Sequence, residues 1–262
     1  TVRWNTGNFD AILNDDAGGF YYLSGTPCNT SIDDWMRATA DLQGAVGYPV
    51  IYNALEVVNE PGVPRAIALN KTAIGGMMEE CYAAAPRIPK QSDWKWRAAE
   101  DTELRMAHEG KLFFCYNNDT SPADQSIDNR IYVYASYLLT YDPRTSVLWE
   151  YYMSPTRAHV MPEVQFVPFD PVKPDVKTID DLKNRDGVYV REYRHCYLNG
   201  QPQDKCIVAV NSDNSDHHID LRGYSRGLTL SGGGIFDGGK AQIQSRSMPD
   251  TLPALSAIIA VR

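Results

Sequence analysis

The sequence lacks any long apolar segment. Its purely apolar runs, such as Ala257 to Val261, are far shorter than the roughly 20 residues that a membrane-spanning helix needs. No charged stretch followed by an apolar one opens the chain. The first residue is Thr1 rather than Met, which leaves open a start that lies upstream or that was removed together with a secretory signal. We therefore predict a protein with no membrane span.

Positive charge is in deficit. The chain has 25 Lys and Arg residues against 33 Asp and Glu residues, which gives a net charge of −8. This sign opposes binding to a phosphate backbone, where cationic side chains release counterions. We therefore expect no nucleic-acid partner.

Metal-ligand spacing is also missing. The five cysteines contain no C-x-x-C pair, and the five histidines include only the adjacent His217 and His218, whose side chains diverge. We therefore predict neither a metal site nor a cofactor. A metal-dependent hydrolase that uses His108 or His159 is a minor alternative, because neither histidine lies at the end of a predicted strand.

Two cysteines are placed to meet across a hairpin. Cys196 and Cys206 flank the turn sequence Asn199-Gly200-Gln201-Pro202 between two strand-like runs, which predicts a disulfide bond. Such a bond forms in an oxidising compartment, so we expect a secreted protein. Three Asn-x-Ser/Thr motifs add a weaker expectation of a glycoprotein, at Asn29, Asn70 and Asn118.

From Phe9 to about Tyr152, short apolar runs alternate with helix-like stretches, which is typical of βα units around a parallel sheet. Five strands are predicted, over residues 9–14, 49–55, 73–78, 111–116 and 146–149. Helices are predicted over 33–46 with Gly47 as a stop, over about 93–108, and from the start signal Ser121-Pro122 onward.

The pattern changes near Val167. Pro168, Pro171 and Pro174 predict a connector that no helix crosses. Beyond it, short apolar runs alternate with Gly, Asn and Asp turns, which predicts a small antiparallel β-sandwich. The predicted organisation is a domain of residues 1–172, a linker of 173–186 and an accessory domain of 187–262.

Acids and amides follow four of the five predicted parallel strands. In parallel α/β barrels these strand ends converge on one mouth, although a single acid there is often a helix cap or a solvated loop charge. Two carboxyl groups that face one cleft can cleave a glycosidic bond, one ionised and the other protonated. Tyrosine and tryptophan rings nearby either stack on sugars or pack the interior. The candidate substrate-binding residues are Tyr52, Asn53, Glu56, Glu80, Tyr116, Asn117 and Trp149, around catalytic Asp15 and Glu79.

Several motifs resemble those of barrel glycosidases. The run from Phe9 to Asp16 resembles their fourth strand, and the run from Gly75 to Glu80 resembles their sixth. Other segments resemble the C-terminal portion of a group of bacterial glycoside hydrolases, the hypothetical glycosyl hydrolases numbered fifteen in their series. These segments are Tyr134 to Tyr152, Cys196 to Cys206 and Val208 to Asn211, so that the resemblance covers most of the chain.

The resemblance implies a (β/α)₈ TIM barrel, of which this chain supplies strands four to eight, followed by the β-sandwich. By analogy with the α-galactosidase and polygalactosaminidase types, it implies that Asp15 is the nucleophile or stabiliser and that Glu79 is the general acid/base. The doubled acids Asp15-Asp16 and Glu79-Glu80 leave each assignment open by one position. A companion segment would then supply strands one to three. The alternative is an open sheet unrelated to the barrel.

The sequence therefore predicts a secreted O-glycosyl hydrolase with a carbohydrate substrate. An alternative from another class is a non-catalytic carbohydrate-binding or structural glycoprotein with a degenerate barrel. The separation of the two carboxyl groups distinguishes them, because retaining catalysis needs about 5 Å and inverting catalysis about 6.5 to 9.5 Å.

Overall fold

The structure of the 262-residue chain is a computed structural model. It describes residues 11–14, 47, 49–53, 55, 73–83, 92–118, 127–151, 162–231 and 242–262, together with six positions between 34 and 45. The side chains of residues 118, 127 and 149–151 lie outside this description.

Five parallel strands form one sheet in the order of the chain. Glycine allows two of them to approach closely, because a Cβ atom placed on Gly75 would lie 2.5 Å from the carbonyl oxygen of Leu112. Each strand overlaps one of the predicted runs, with ends that differ by a few residues. The strands are β1 (Ile12–Asn14), β2 (Val50–Asn53), β3 (Gly75–Glu79), β4 (Leu112–Asn118) and β5 (Ser146–Tyr151).

Two continuous helices lie among the described residues, α1 (Asp93–His108) and α2 (Ile127–Thr140). The predicted helix over 93–108 is confirmed as α1. The six described positions between 34 and 45 are also helical, and Gly47 follows them with a φ of +72°, the left-handed conformation that ends many helices. Two short 3₁₀ helices come later, at Pro162–Gln165 and Ile179–Leu182.

The rest of the described chain is antiparallel. A seven-stranded sheet has the order β12-β11-β14-β9-β7-β6, with β8 also paired to β7, and β10 and β13 form a separate pair. The strands are β6 (Phe166–Pro171), β7 (Tyr189–Leu198), β8 (Gln201–Gln203), β9 (Cys206–Asn211), β10 (His217–His218), β11 (Arg226–Ser231), β12 (Gln242–Arg246), β13 (Thr251–Leu252) and β14 (Ser256–Val261).

The helices connect the two main sheets. α1 packs on β4, α2 packs across β14 and β9, and the two helices contact each other. Trp96 of α1 donates from Nε1 to Ser136 Oγ of α2 at 2.8 Å, and its ring lies 4.8 Å from the ring of Tyr189. One buried apolar cluster therefore extends from Val50 in the parallel sheet to Val261 in the antiparallel sheet.

The predicted (β/α)₈ barrel is wrong. Within the described residues the parallel sheet is open, with β1 and β5 as its edges, and two continuous helices accompany it instead of eight. The physical reason is visible in α2, whose buried side is covered by β14 and β9 of the antiparallel sheet. The expected companion segment with strands one to three rested on the closed barrel and loses its basis with it.

The antiparallel region contains two sheets, the seven-stranded sheet and the pair of β10 and β13. One face of the large sheet is covered by α2, and on its other face Ile207 and Ile258 share a second apolar cluster with Leu252 of β13. The boundaries at 172 and 187 stay a prediction.

The predicted proline connector contains a strand. Pro168 and Pro171 are tolerated in β6 because β6 is the edge of its sheet, where an N–H group need not pair. None of the described helices combines the length and the apolar character needed to cross a bilayer.

Candidate functional site

Strand register divides the predicted site residues between two faces of the parallel sheet. Asn53 pairs with Met77, and Glu79 pairs with Tyr116, so these four side chains share one face, which we call the glutamate face. The opposite face packs against α1, and we call it the helix face. It carries Val50, Tyr52, Met78, Phe113, Cys115 and Asn117.

The glutamate face has an acid and an amide in contact. Asn53 ends β2 and Glu79 ends β3, and Asn53 Nδ2 donates to Glu79 Oε1 at 2.9 Å. Asn53 is buried, whereas Glu79 is partly exposed. The bond engages one carboxylate oxygen and fixes the orientation of the other, Oε2, at the carboxyl edge of the sheet.

Asn117 does not join Glu79. It lies on the helix face, where its Oδ1 accepts the backbone N–H groups of Tyr82 and Ala83, each at 3.2 Å. These bonds hold the segment that follows β3 against the end of β4. Asn117 is therefore placed to organise this segment.

Tyr52 is buried on the helix face, so its ring packs in the core. Tyr116 is partly exposed on the glutamate face. Glu80 follows β3 with a φ of +53°, and its N–H donates to the carbonyl oxygen of Tyr116 at 2.6 Å. The strand pairing thus continues one residue beyond Glu79.

Three predicted site residues cannot be placed. Asp15 and Glu56 lie outside the described residues, as does the side chain of Trp149, although the backbone of Trp149 pairs with Tyr116 in β5. Their roles stay predictions. Elsewhere, the described part of the chain holds no group of three His, Cys, Asp or Glu side chains arranged as metal ligands.

Two disulfide bonds are present among the described cysteines. Cys196 and Cys206 are joined, which confirms the predicted hairpin bridge. Cys81 and Cys115 are also joined, which the sequence analysis missed. The missed signal was the parallel alignment of β3 and β4, because the two cysteines come at the same end of neighbouring strands. The second bridge fixes the segment after Glu79 to β4.

Tyr82 connects this segment to the interior. Its hydroxyl donates to Glu103 Oε2 of α1 at 2.7 Å. Burial, together with the nearby carboxyl groups of Glu100 and Glu103, raises the pKa of the Tyr82 phenol well above its ordinary value. Tyr82 is therefore a neutral donor at physiological pH.

Comparison with known proteins adds little. The chain matches no family model and no curated protein. Among solved structures it is similar to a pullulanase from Bacillus acidopullulyticus, with 10% sequence identity and a TM-score of 0.34. That match covers 98% of this chain and 38% of the pullulanase chain, and a likeness at this score supports no conclusion about fold or function.

Proposed function

We propose that the protein is a secreted O-glycosyl hydrolase that binds its carbohydrate substrate at the glutamate face. The motif resemblance to the glycosyl hydrolases numbered fifteen is part of this proposal. The two disulfide bonds support an oxidising compartment, where secreted enzymes act.

The observation that carries the proposal is the contact between Asn53 and Glu79 at the carboxyl edge of a parallel sheet. In α/β folds, ligands bind outside the carboxyl ends of the strands. A carboxylate beside a carboxamide offers the acceptors and donors that sugar hydroxyls need. Tyr116 lies on the same face, where an aromatic ring can stack on the apolar side of a sugar.

In this proposal Glu79 is one of two reacting carboxyl groups and Asp15 is the other. Asp15 follows Asn14, the last residue of β1, and it is two residues from Leu13, which pairs with Ile51. β2 lies between β1 and β3, so the backbones of β1 and β3 are about 9 to 10 Å apart. The separation of the two carboxyl groups, which distinguishes inverting from retaining catalysis, depends on the side chain of Asp15, which lies outside the described residues.

A second candidate is a non-catalytic carbohydrate-binding protein. It is favoured by the described side chains of β1 to β5, among which Glu79 is the one carboxyl group on the glutamate face. A site with one acid can bind a sugar without cleaving it.

The test is hydrolysis by the full chain, with release of reducing ends from oligomers of glucose, galactose, galactosamine and xylose. We expect Glu79→Gln and Asp15→Asn each to reduce turnover by about 10²-fold to 10⁴-fold, because each removes one acid or base. Glu80→Gln resolves the doubled acid and should reduce turnover far less than Glu79→Gln. Glu109→Gln, at the C-terminal cap of α1, makes the same chemical change away from the site and should retain activity.

Activity that survives both Glu79→Gln and Asp15→Asn would contradict the assignment of the two acids. If one of the four oligomers binds and none of them is cleaved, the result would support the second candidate, a non-catalytic carbohydrate-binding protein. Binding should then be weakened by Asn53→Leu, because the amide that orients Glu79 is lost.

A further inference from the structure

Two glutamates on α1 are completely buried and share one hydroxyl group. Glu100 and Glu103 lie one turn apart on the same side of the helix, and neither is exposed to solvent. Thr140, at the end of α2, places its Oγ1 2.7 Å from Glu100 Oε2 and 2.7 Å from Glu103 Oε2. Tyr82 donates to the same Glu103 oxygen at 2.7 Å.

These distances require a proton on one of the carboxyl groups. A threonine hydroxyl has one hydrogen and can donate to one acceptor. If both glutamates were ionised, a lone pair of Thr140 Oγ1 would face a carboxylate oxygen at 2.7 Å. A consistent chain of donors runs from protonated Glu100 to Thr140, and from Thr140 to ionised Glu103, which also accepts from Tyr82.

The surrounding charges agree with one proton and one negative charge. Arg191 of β7 is buried, its Nη1 donates to the carbonyl oxygen of Leu139, and its positive charge favours ionisation of both glutamates. One buried cation balances one buried anion. Asp101 of α1 adds negative charge near Glu100. Among the described residues, the other titratable groups that face the pair are four phenols, and burial raises their pKa values so that they stay neutral. They belong to Tyr82, Tyr132, Tyr137 and Tyr193.

Glu100 is the better holder of the proton. Its burial and the neighbouring Glu103 raise the pKa of Glu100 well above the ordinary value. Burial also raises the pKa of Glu103, but hydrogen bonds from Ser146, Tyr82 and Thr140 oppose that rise.

The chain of hydrogen bonds reaches the candidate site. Tyr82 belongs to the segment Glu79–Ala83, which carries Glu79 at one end and is held to β4 through Asn117 at the other. The phenol of Tyr82 ties the same segment to α1 through Glu103. The helix pair and the glutamate face are thus linked through one side chain.

We propose that the hydrogen-bond chain Glu100–Thr140–Glu103–Tyr82 is a proton-dependent latch that fixes the segment Glu79–Ala83. Loss of the Glu100 proton leaves two adjacent buried carboxylates, and their repulsion displaces Glu103, the acceptor of the Tyr82 phenol. This loosens Tyr82 and Ala83, while the disulfide between Cys81 and Cys115 still holds the earlier part of the segment to β4. The regulatory meaning of the latch rests on the proposed function of Glu79, whereas the latch itself does not.

The direction of the pH effect follows from the raised pKa of Glu100. The folded protein holds this proton at pH values at which the unfolded chain has lost it, so folding binds a proton. Stability contributed by Glu100 is therefore complete at acidic pH and is lost as pH rises toward its pKa in the folded protein. Over that range the unfolding equilibrium constant rises about tenfold per pH unit for one proton.

The test compares the pH dependence of unfolding for the full chain and Glu100→Gln, which keeps a neutral donor to Thr140. Above the ordinary pKa of a glutamate, we expect the unfolding constant of the wild type to rise more steeply with pH than that of the variant, by up to about tenfold per pH unit for one proton. Glu109→Gln at the exposed end of α1 is the matched control and should keep the wild-type slope. Equal slopes for the wild type and Glu100→Gln would overturn the proposal.

Amide hydrogen exchange tests the link to the site. In the wild type, the protection of the Tyr82 and Ala83 amides should fall as pH rises, whereas in Glu100→Gln it should stay constant. Tyr82→Phe removes only the phenol bond, so it should keep the pH slope of unfolding and lose the pH dependence of protection. Wild-type protection that is independent of pH would overturn the latch.

If Glu100→Gln does not fold, the proposal can still be tested by a measurement on the wild type. Infrared spectroscopy at pH 7 should show the C=O band of a buried protonated carboxylic acid, and absence of such a band would also overturn the proposal. These measurements use no carbohydrate, so their failure is separate from failure of the hydrolase proposal.

Discussion

Among the described residues, the side chain of Asn53 orients the carboxylate of Glu79. Asn53 is buried beside it, and its amide is the donor that fixes the carboxylate at the edge of the sheet. The interaction is directional, since an amide nitrogen donates and an oxygen in its place would repel the carboxylate. The contact can therefore be tested by replacing the amide of Asn53 with a carboxyl group.

Asn53→Asp should destabilise the protein in a pH-dependent way. It places a second carboxyl group about 3 Å from Glu79 in a buried position, so the pair must hold a proton to remain together. We expect a loss of about 1 to 3 kcal/mol in the free energy of unfolding near pH 8 and a smaller loss near pH 5, because the folded state binds more protons than the unfolded state.

Exchanging the two groups is the control for this variant. Asn53→Asp combined with Glu79→Gln restores one amide and one carboxylate, and it should recover most of the lost stability without recovering glycoside turnover. Equal stability of the single and double variants near pH 8, measured by urea unfolding, would contradict the direct contact between positions 53 and 79.

At the scale of elements, local patterns predict the strands and helices well. The five strand runs up to Leu148 and the helix Asp93–His108 form where apolar runs and start signals place them. These local patterns do not predict which other element packs against each buried face. The apolar side of α2 would suit a barrel equally well, and only the tertiary structure shows it on β14 and β9.

The faces of the strands limit the prediction of the site. The sequence placed Asn117 beside Glu79 because both come near strand ends. Side chains alternate along a strand, so a difference of one residue in register sends a side chain to the other face. Tyr116, which pairs with Glu79, takes the glutamate face, and Asn117 takes the helix face. The distant partners Cys81 and Cys115 were missed because pairing depends on the alignment of two strands.

Close contact between β3 and β4 can be tested at Gly75. A Cβ atom there would meet the carbonyl oxygen of Leu112 at 2.5 Å, which is backbone and cannot swing away. We expect Gly75→Ala to cost about 1 to 3 kcal/mol in unfolding free energy and to reduce glycoside turnover, because β3 carries Glu79.

Gly47→Ala is the comparison for this variant. No atom of the described residues lies within 4 Å of a Cβ atom placed on Gly47, so we expect its cost to come from the φ of +72° and turnover to stay unchanged. Wild-type stability for Gly75→Ala in chemical denaturation would contradict the close approach of the two strands.

At the scale of the whole molecule, the two sheets share one core through α1 and α2. The parallel sheet offers its carboxyl edge as the candidate site, and the helix pair links that edge to the antiparallel sheet through Tyr82, Glu103 and Arg191. The antiparallel sheet also has exposed aromatic rings on β6 and β7, where Phe169 stacks between His195 and Tyr197. These are two chemically different surfaces at which the proposed carbohydrate ligand can be tested for binding.

Amide hydrogen exchange of the full chain, with and without each of the oligomers of glucose, galactose, galactosamine and xylose, locates the binding surface. Binding at the glutamate face predicts that the oligomer slows exchange at residues 51–53, 77–83 and 114–118, and that Glu79→Gln keeps this protection while it loses turnover. Protection confined to residues 166–171 and 194–198, with no change at the ends of β2, β3 and β4, would contradict it.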